Sequence, residues 1–285
     1  MTPIYSIKGY TEQIYKVTEF KGSRDPDRVR LVAPSEDWEV NETKLSQSIS
    51  RARSMVLQYA LCNQWQYFIT LTLDGRKWQR NDLGAYKKAF MQWLRDLRKS
   101  YRTDIQALLV PERHKDGCWH MHGFVKGLPE DAVRVFPVGV PHFLIEHGYL
   151  NWPDYQKKFG FCSLAPIKDP TAAAFYVTKY ISKDFAGECE DYRRHLYMVT
   201  RGCRHADTVS DIYLYNSELS GICTEEYQFC KTGWAFDKSW SWPLTFDGAD
   251  LYGELPLYPE RMPDPLKDFD AQTLEPTYEQ LRLCL

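Results

Sequence analysis

The chain has 285 residues, with 36 lysines and arginines against 38 aspartates and glutamates, so its formal net charge at pH 7 is −2. A near-neutral charge, taken over the whole chain, argues against a nucleic-acid-binding protein, which usually carries a basic domain. Sixteen glycines and sixteen prolines, with 15% aromatic residues, exclude a collagen-like, low-complexity or largely disordered protein. The length predicts one large domain with appendages.

Membrane and export signals are not visible in the sequence. It contains no apolar run long enough to span a bilayer, and its first residues lack the apolar stretch of a secretory signal. The eight cysteines form no CxxC pair, which disfavours zinc ribbons and thioredoxin-type redox motifs. We therefore expect a cytoplasmic protein with reduced thiols and no membrane partner.

The charge is distributed unevenly along the chain. Residues 233–285 hold ten acidic and four basic residues, a net charge of −6, so residues 1–232 carry +4. Residues 76–115 hold eleven basic and four acidic residues. Their basic side chains either line a solvated helix face or form a binding face for phosphates. The candidate contacts with a nucleic-acid backbone are Arg76, Lys77, Arg80, Lys87, Lys88, Arg98 and Lys99.

The first elements follow from composition and period. Residues 1–43 are polar with turn signals and predict an N-terminal arm with short strands. Residues 44–62 lack glycine and proline and predict a helix, and residues 67–74 predict a β-branched strand that ends in a turn. Residues 82–101 predict the clearest helix, because apolar residues recur there at steps of three and four.

The middle of the chain predicts a hairpin, an insertion and a second helix. Residues 105–113 and 118–126 are two strands joined by a tight turn. Residues 128–169 contain five prolines and predict a long, irregular insertion. Residues 171–185 predict a helix.

Further strands are predicted at 196–199 and 208–215, followed by an irregular acidic tail over 233–285 that is rich in tryptophan and proline. The order of the core elements is then strand, helix, strand, strand, helix, strand. This order predicts an α+β fold of the ferredoxin-like (split βαβ) type, with an antiparallel sheet and helices on one face. The fold alone says nothing about chemistry.

A histidine pair on the third strand is the first candidate site. Alternate residues of a strand share one face, so His120 and His122 point the same way and could bind a divalent metal ion. Glu112 lies opposite His120 if the turn has an odd number of residues, which the left-handed preference of Gly117 favours. A two-residue turn would place Glu112 on the other face, and the histidines would then be merely packed or exposed. The donor set suits Mg²⁺ or Mn²⁺, although zinc would also fit.

The second candidate is a tandem Tyr-x-x-Lys motif in the second core helix. Tyr176 and Tyr180 are four residues apart and share one helix face, as do Lys179 and Lys183. A nearby ammonium or metal ion would favour the phenolate, which makes a tyrosine a nucleophile. Alternatively, the tyrosines are ordinary residues of an amphipathic core.

Three motifs together resemble a known family. Phe-Ile-Thr-Leu-Thr at 68–72, His-Met-His-Gly at 120–123 and Tyr-Val-Thr-Lys-Tyr-Ile-Ser-Lys at 176–183 occur in the order seen in HUH endonucleases. These enzymes are rolling-circle replication initiators of small phages, plasmids and single-stranded DNA viruses. The tandem tyrosines resemble the two-tyrosine type. The resemblance covers roughly residues 65–185 and leaves out the arm, the insertion and the tail.

The resemblance implies a nicking and joining reaction. His120, His122 and Glu112 would hold a divalent ion, Mg²⁺ or Mn²⁺, that polarises the scissile phosphate. Tyr176 or Tyr180 would attack, leaving a 5′-phosphotyrosine and a 3′-OH primer, and the second tyrosine would act in rejoining. Lys179 and Lys183 would steady the phosphate charge.

The partners implied are single-stranded or hairpin origin DNA and, in a bacterial host cell, a helicase and a polymerase, since the sequence contains no Walker loop. The endonuclease domain would occupy residues 44–232, between an arm at 1–43 and the tail at 233–285. A relaxase or transposase of the same superfamily is the near alternative. A non-catalytic nucleic-acid-binding module on a ferredoxin-like sheet is the alternative of another class.

Overall fold

The computed structural model describes residues 4–12, 14–20, 42–114, 116–181, 196–210, 223–226 and 230–236. The described residues divide into two compact units. The first draws its residues from 1–39 and 205–262, and the second from 40–204. Each unit contains one antiparallel sheet, and together they form an α+β protein. Among the described residues, no helix combines the length and apolar character that crossing a membrane requires.

The first unit is built on the hairpin of β1 (Ile4–Gly9) and β2 (Ile14–Phe20). β1 pairs with β10 (Asp207–Ser210), and β2 pairs along its whole length with β12 (Cys230–Phe236), which also carries the short β11 (Glu225–Glu226).

The first unit therefore joins the N-terminal segment to strands from the far end of the chain. This differs from the division predicted at 43/44 and 232/233, because β12 crosses residue 232 and residues 4–20 form a sheet with it. The remainder of the predicted tail, residues 237–285, and most of the predicted strand at 208–215 lie outside the described residues.

The second unit contains a seven-stranded sheet. Its long central strands are β3 (Tyr67–Thr72), β4 (Gln106–Arg113) and β5 (Trp119–Lys126), with β5 between the other two and antiparallel to both. Helix α2 (Leu83–Tyr101) connects β3 to β4. This is the predicted split βαβ arrangement, which is confirmed with boundaries within a residue or two.

The fourth position of the ferredoxin-like order is occupied differently from the prediction. The neighbour of β3 is β8 (Cys162–Pro166), a strand inside the stretch that we predicted to be an irregular insertion. Two short strands, β6 (Arg134–Val135) and β7 (Leu150–Asn151), continue the sheet beyond it. The strand predicted at 196–199 is β9 (Met198–Val199), and it pairs with β4 at the opposite edge. A stretch rich in proline and glycine thus conceals a central strand of only five residues.

Helices complete the second unit. α1 (Glu42–Leu61) packs against α5 (Pro170–Val177), and a single 3₁₀ turn (Thr178–Tyr180) follows α5 directly. The short helices α3 (His142–Glu146) and α4 (Pro153–Lys158) lie in the predicted insertion.

The predicted apolar face of α2 is buried. The helix begins after Asp82, whose carboxylate accepts the Ala85 backbone N–H at 2.8 Å. Its rings pack against aromatic residues of the α4 region, where the Trp93 and Trp152 rings lie 4.8 Å apart. Deeper in the same cluster, the hydroxyls of Tyr86 and Tyr155 are hydrogen-bonded at 2.6 Å. Aromatic burial therefore holds part of the insertion onto the core of the unit.

Candidate metal and tyrosine site

The hairpin of β4 and β5 has the register that a metal site requires. Glu112 lies directly opposite His120 across the pair. The backbone N–H of His114 donates to the Cys118 carbonyl at 2.9 Å, and Gly117 closes the turn with a left-handed φ of +80°. The odd-numbered turn predicted from the sequence is confirmed, and glycine suits it because other residues are strained at such a φ. Glu112 and His120 therefore share one face of the sheet.

Threonines of β3 support both imidazoles. Thr72 pairs with His120 and Thr70 with His122 across the ladder, and each hydroxyl lies 3.2 Å from Nδ1 of its imidazole. When Nδ1 carries the ring proton, this contact leaves the lone pair of Nε2 available to a metal ion. Both histidines are buried, with 1% and 2% of their surface exposed. The motif at 68–72, which alone predicts only a buried strand, thus supplies the groups that orient the imidazoles.

Ligand-type side chains converge on this face of the hairpin. Glu112, His114 and His122 each place one donor atom within 4.8 Å of the other two. Oε2 of Glu112 lies 2.9 Å from Nε2 of His122 and 3.7 Å from Nε2 of His114. The His114 ring stacks on His120 with centroids 3.8 Å apart. Imidazole and carboxylate donors bind divalent metals, so these residues could hold a divalent ion.

The Nε2 atoms of the predicted pair support a metal ion here. In His120 and His122 this atom is buried and makes no hydrogen bond, so the close contact of Glu112 with His122 is an ion-pair contact rather than an aligned hydrogen bond. Buried polar atoms without a partner are uncommon and costly in folded proteins. A ligand that accepts their lone pairs would remove that cost.

Electrostatics keep the candidate ligands in the protonation states that bind metal. Burial alone would raise the pKa of Glu112, but the adjacent imidazole of His122 and the positive charges at His114 and Lys179 hold that pKa below its usual range. Burial, followed by the charges of His114, His122 and Arg80, moves the pKa of His120 well below its usual range. Near neutral pH, Glu112 is therefore a carboxylate and His120 a neutral imidazole.

The tandem tyrosines lie beside this cluster. The Tyr180 ring stacks on the His122 imidazole with centroids 4.0 Å apart and planes within 4°. Its hydroxyl donates to the Tyr176 hydroxyl at 3.1 Å, and the Lys179 ammonium donates to the same oxygen. Lys179 also lies 3.8 Å from the Tyr176 ring centroid. The structure thus brings Glu112, His122 and the two tyrosines into one cluster.

The local fold explains how the tyrosines come together. Tyr176 lies in the last turn of α5 and is 1% exposed, whereas Tyr180 ends the 3₁₀ turn and is 3% exposed. The predicted helix over 171–185 is therefore shorter, and the two rings meet edge to face at 5.7 Å rather than on an unbroken helical face. Lys183 lies outside the described residues.

The predicted DNA contacts are not gathered in one place. Arg76 and Lys77 form ion pairs with Asp74 in the turn after β3, and Arg98 donates to the Ile105 carbonyl at 2.6 Å. Lys88 and Lys99 are exposed on α2, where Lys87 is half-buried. Arg80 differs from these, because its charge acts on His120 and its Nε is buried without a hydrogen-bond partner among the described residues.

Sequence reasoning missed three residues of the site. Thr70 and Thr72 alternate with buried apolar residues on β3, and their register with the histidines was the signal that could have identified them. His114 follows Glu112 by two residues and therefore shares its strand face. The same alternation that paired His120 with His122 would have found it.

Two comparisons with known proteins bear on this site. Residues 66–185 match the family model of the replication-associated protein ORF2. The matched segment includes every described member of the site. The chain is also 30% identical over 151 residues to the replication gene A protein of Escherichia phage 186.

The phage match covers 46% of this chain and 22% of that protein, so the chain spans about a fifth of the length of this curated relative. No solved structure gives a significant match. Both similarities support a relationship to replication initiators, and the family match rests on the segment that carries the histidine and tyrosine motifs.

Proposed function

We propose that this protein is an HUH-type rolling-circle replication initiator that nicks single-stranded origin DNA and rejoins it through tyrosine chemistry. The observation that carries the proposal is the stacking of Tyr180 on His122 at 4.0 Å, beside the contact of His122 with Glu112. A metal-type cluster and a nucleophile-type pair are thus adjacent, as phosphodiester transfer requires.

Glu112, His120 and His122 would hold a divalent ion, Mg²⁺ or Mn²⁺. When bound, such an ion supplies Lewis-acid polarisation of the scissile phosphate. Thr70 and Thr72 hold the two imidazoles in the orientation that leaves Nε2 toward the ion. His114 lies within the same group of donor atoms.

The tyrosine pair would carry the covalent step. The attacking phenol loses its proton, its Oη–P bond forms and the P–O3′ bond breaks, and O3′ takes up a proton to become the 3′-OH primer. Because Tyr176 Oη accepts from both Lys179 and Tyr180, these two donors favour its phenolate form. Tyr176 is therefore the better prepared nucleophile of the pair, and Tyr180 would act in the rejoining step.

The remaining predicted roles belong to the same proposal. Arg76, Lys77, Arg80, Lys87, Lys88, Arg98 and Lys99 would contact the DNA backbone, and Lys183 would assist at the phosphate. The partners would be single-stranded or hairpin origin DNA with a host helicase and polymerase.

One observation favours a second candidate, a nucleic-acid-binding module without catalysis. The two tyrosines are only 1% and 3% exposed, and burial to this degree is what a purely structural aromatic pair shows. This candidate assigns no chemistry to Glu112 or to the two tyrosines.

Covalent trapping separates the two candidates. The protein is incubated with a pool of single-stranded oligonucleotides and Mn²⁺, and adducts are counted after denaturation in SDS. Nicking predicts an SDS-resistant adduct that is lost with EDTA and in the double variant Tyr176→Phe/Tyr180→Phe. Tyr197→Phe is a matched control, because this tyrosine is half-buried against Tyr59 and lies outside the cluster.

Each result selects one function. An adduct that persists in the double variant refutes the nucleophile assignment. Retained binding of single strands without an adduct from any sequence in the pool supports the binding module instead.

A further inference from the structure

We infer that His114 is a direct ligand of the divalent ion, together with Glu112 and His122, and that it makes the site selective for Mn²⁺ over Mg²⁺. The inference rests on the proposed function only for the presence of a metal ion at this site. It adds a ligand and a metal preference that the His-x-His motif does not contain.

The backbone determines where His114 lies. Glu112 and His114 are alternate residues at the end of β4, so their side chains leave the same face. His114 is also held in the hairpin, because its N–H donates to the Cys118 carbonyl and its own carbonyl accepts the Gly117 N–H at 2.8 Å. The turn that sets Glu112 opposite His120 therefore brings the His114 ring to the same place.

The distances suit a shared ion. Nitrogen and oxygen ligands at about 2.1 Å from a metal put neighbouring donor atoms about 3 to 4 Å apart. The Glu112 carboxylate lies 2.9 Å from His122 Nε2 and 3.7 Å from His114 Nε2, and the three donor atoms span no more than 4.8 Å. Only small side-chain shifts would bring all three to one ion.

An independent observation points to a ligand at this place. The Nε2 atoms of His120 and His122 are buried and lack hydrogen-bond partners, while the Nδ1 atom of each ring lies within 3.2 Å of a threonine hydroxyl. Two buried imidazoles are thus each hydrogen-bonded on one side only. An ion that accepts these nitrogens would satisfy what the protein leaves unsatisfied.

The donor set determines which metal is preferred. With His114, the site offers three imidazoles and one carboxylate. Mg²⁺ prefers oxygen ligands and retains several waters, whereas imidazole nitrogens favour transition metals such as Mn²⁺. A site with only one carboxylate is therefore poor for Mg²⁺, and each added imidazole increases the difference between the two metals.

A different role for His114 must be separated from coordination. Its ring stacks on His120 with centroids 3.8 Å apart, so it could act by positioning His120 without touching the ion. The variant His114→Phe keeps an aromatic ring for this stack but offers no nitrogen. The variant His114→Ala removes both the stack and the nitrogen.

Calorimetric titration of the full chain with MnCl₂ and then with MgCl₂, without DNA, tests the inference. We expect His114→Phe and His114→Ala to lower Mn²⁺ affinity by at least about tenfold, the scale of losing support for a metal ligand, and to change Mg²⁺ affinity little. His142→Ala is the matched control, because this imidazole is 87% exposed and pairs with Glu146. Urea unfolding of each variant checks that it is folded.

Substitution with Co²⁺ gives a second readout that does not depend on activity. Loss of a nitrogen ligand changes the visible absorption of the bound Co²⁺, so His114→Phe should alter the spectrum and His142→Ala should not. Wild-type Mn²⁺ affinity in folded His114→Phe, or an equal fall for Mn²⁺ and Mg²⁺, would overturn the inference.

The metal assay and the covalent assay fail separately. A His114 effect on Mn²⁺ binding without any DNA adduct from the wild type would remove the proposed function and leave the ligand assignment standing. An adduct with unchanged Mn²⁺ binding in His114→Phe would do the reverse.

Discussion

Gly123, which follows the histidine pair on β5, is where a single methyl group should disturb both the sheet and the site. Gly123 pairs with Leu109 across the β4–β5 ladder. A Cβ atom at this position would lie 2.0 Å from the Leu108 carbonyl oxygen and 3.0 Å from the Leu109 Cα. Both contacts are with backbone, so no side-chain rotation relieves them.

The size of the effect follows from these distances. Ordinary contacts of a Cβ begin near 3.4 Å, so Gly123→Ala must move the Leu108 carbonyl by more than 1 Å or twist the strand. Overpacking of this kind costs about 1 to 3 kcal/mol and at times more. Glu112 lies four residues further along the displaced strand, so its 2.9 Å contact with His122 should also be lost. We expect a loss of about 2 kcal/mol or more and at least about tenfold weaker Mn²⁺ binding.

Urea unfolding and Mn²⁺ titration measure the two effects on one sample. Gly148→Ala is the control, because Gly148 has a left-handed φ of +68° but no atom within 4 Å of where its Cβ would lie. It should cost only the conformational term, about 1 kcal/mol, and leave Mn²⁺ binding unchanged. If Gly123→Ala unfolds like the wild type and binds Mn²⁺ equally well, close approach of β4 and β5 is not what holds the site.

Two further predictions concern the supports of the site. Thr70→Val keeps the shape of the side chain but removes the hydroxyl 3.2 Å from His122 Nδ1, so Mn²⁺ affinity in calorimetry should fall about 10- to 100-fold; an unchanged affinity would mean that the hydroxyl does not orient the ring. The side-chain and backbone hydrogen bonds of Arg76 lower the pKa of Asp74, so the stability that the ionised carboxylate contributes is present above the ordinary pKa near 4 and is lost as pH falls through its lowered folded value. Urea unfolding should therefore show a cost for Asp74→Asn at pH 7 that shrinks below about pH 3, and a constant difference would contradict it.

Local signals in the sequence were sufficient for the centre of the site. The spacing from Glu112 to His120, with a glycine suited to a left-handed turn, predicts the observed register, because a hairpin register depends on its turn. Helix α2 was equally accessible, since its apolar residues repeat at the helical period and bury one face. In both cases the information lies within about twenty residues of chain.

Pairings between distant segments were not accessible in the same way. β8 is five residues long and lies among prolines and glycines, so no local period distinguishes it from loop, and only its pairing with β3 makes it a strand. The partner of β2 is β12, about two hundred residues later in the chain. A predicted N-terminal arm therefore became half of a sheet because nothing in the arm encodes which distant strand covers it.

The tyrosine pair shows how far the ground-state geometry can be taken toward a mechanism. Tyr176 Oη accepts from Lys179 and Tyr180, and Tyr180 is held by its stack on His122. Attack on a phosphate would exchange at least one of these contacts for the substrate. The 3₁₀ turn that carries Lys179 and Tyr180 is the natural place for that exchange, since its hydrogen bonds are poorer than those of an α-helix. The two tyrosines are therefore inequivalent before any DNA binds, and their order of action follows from which hydroxyl already has its anion stabilised.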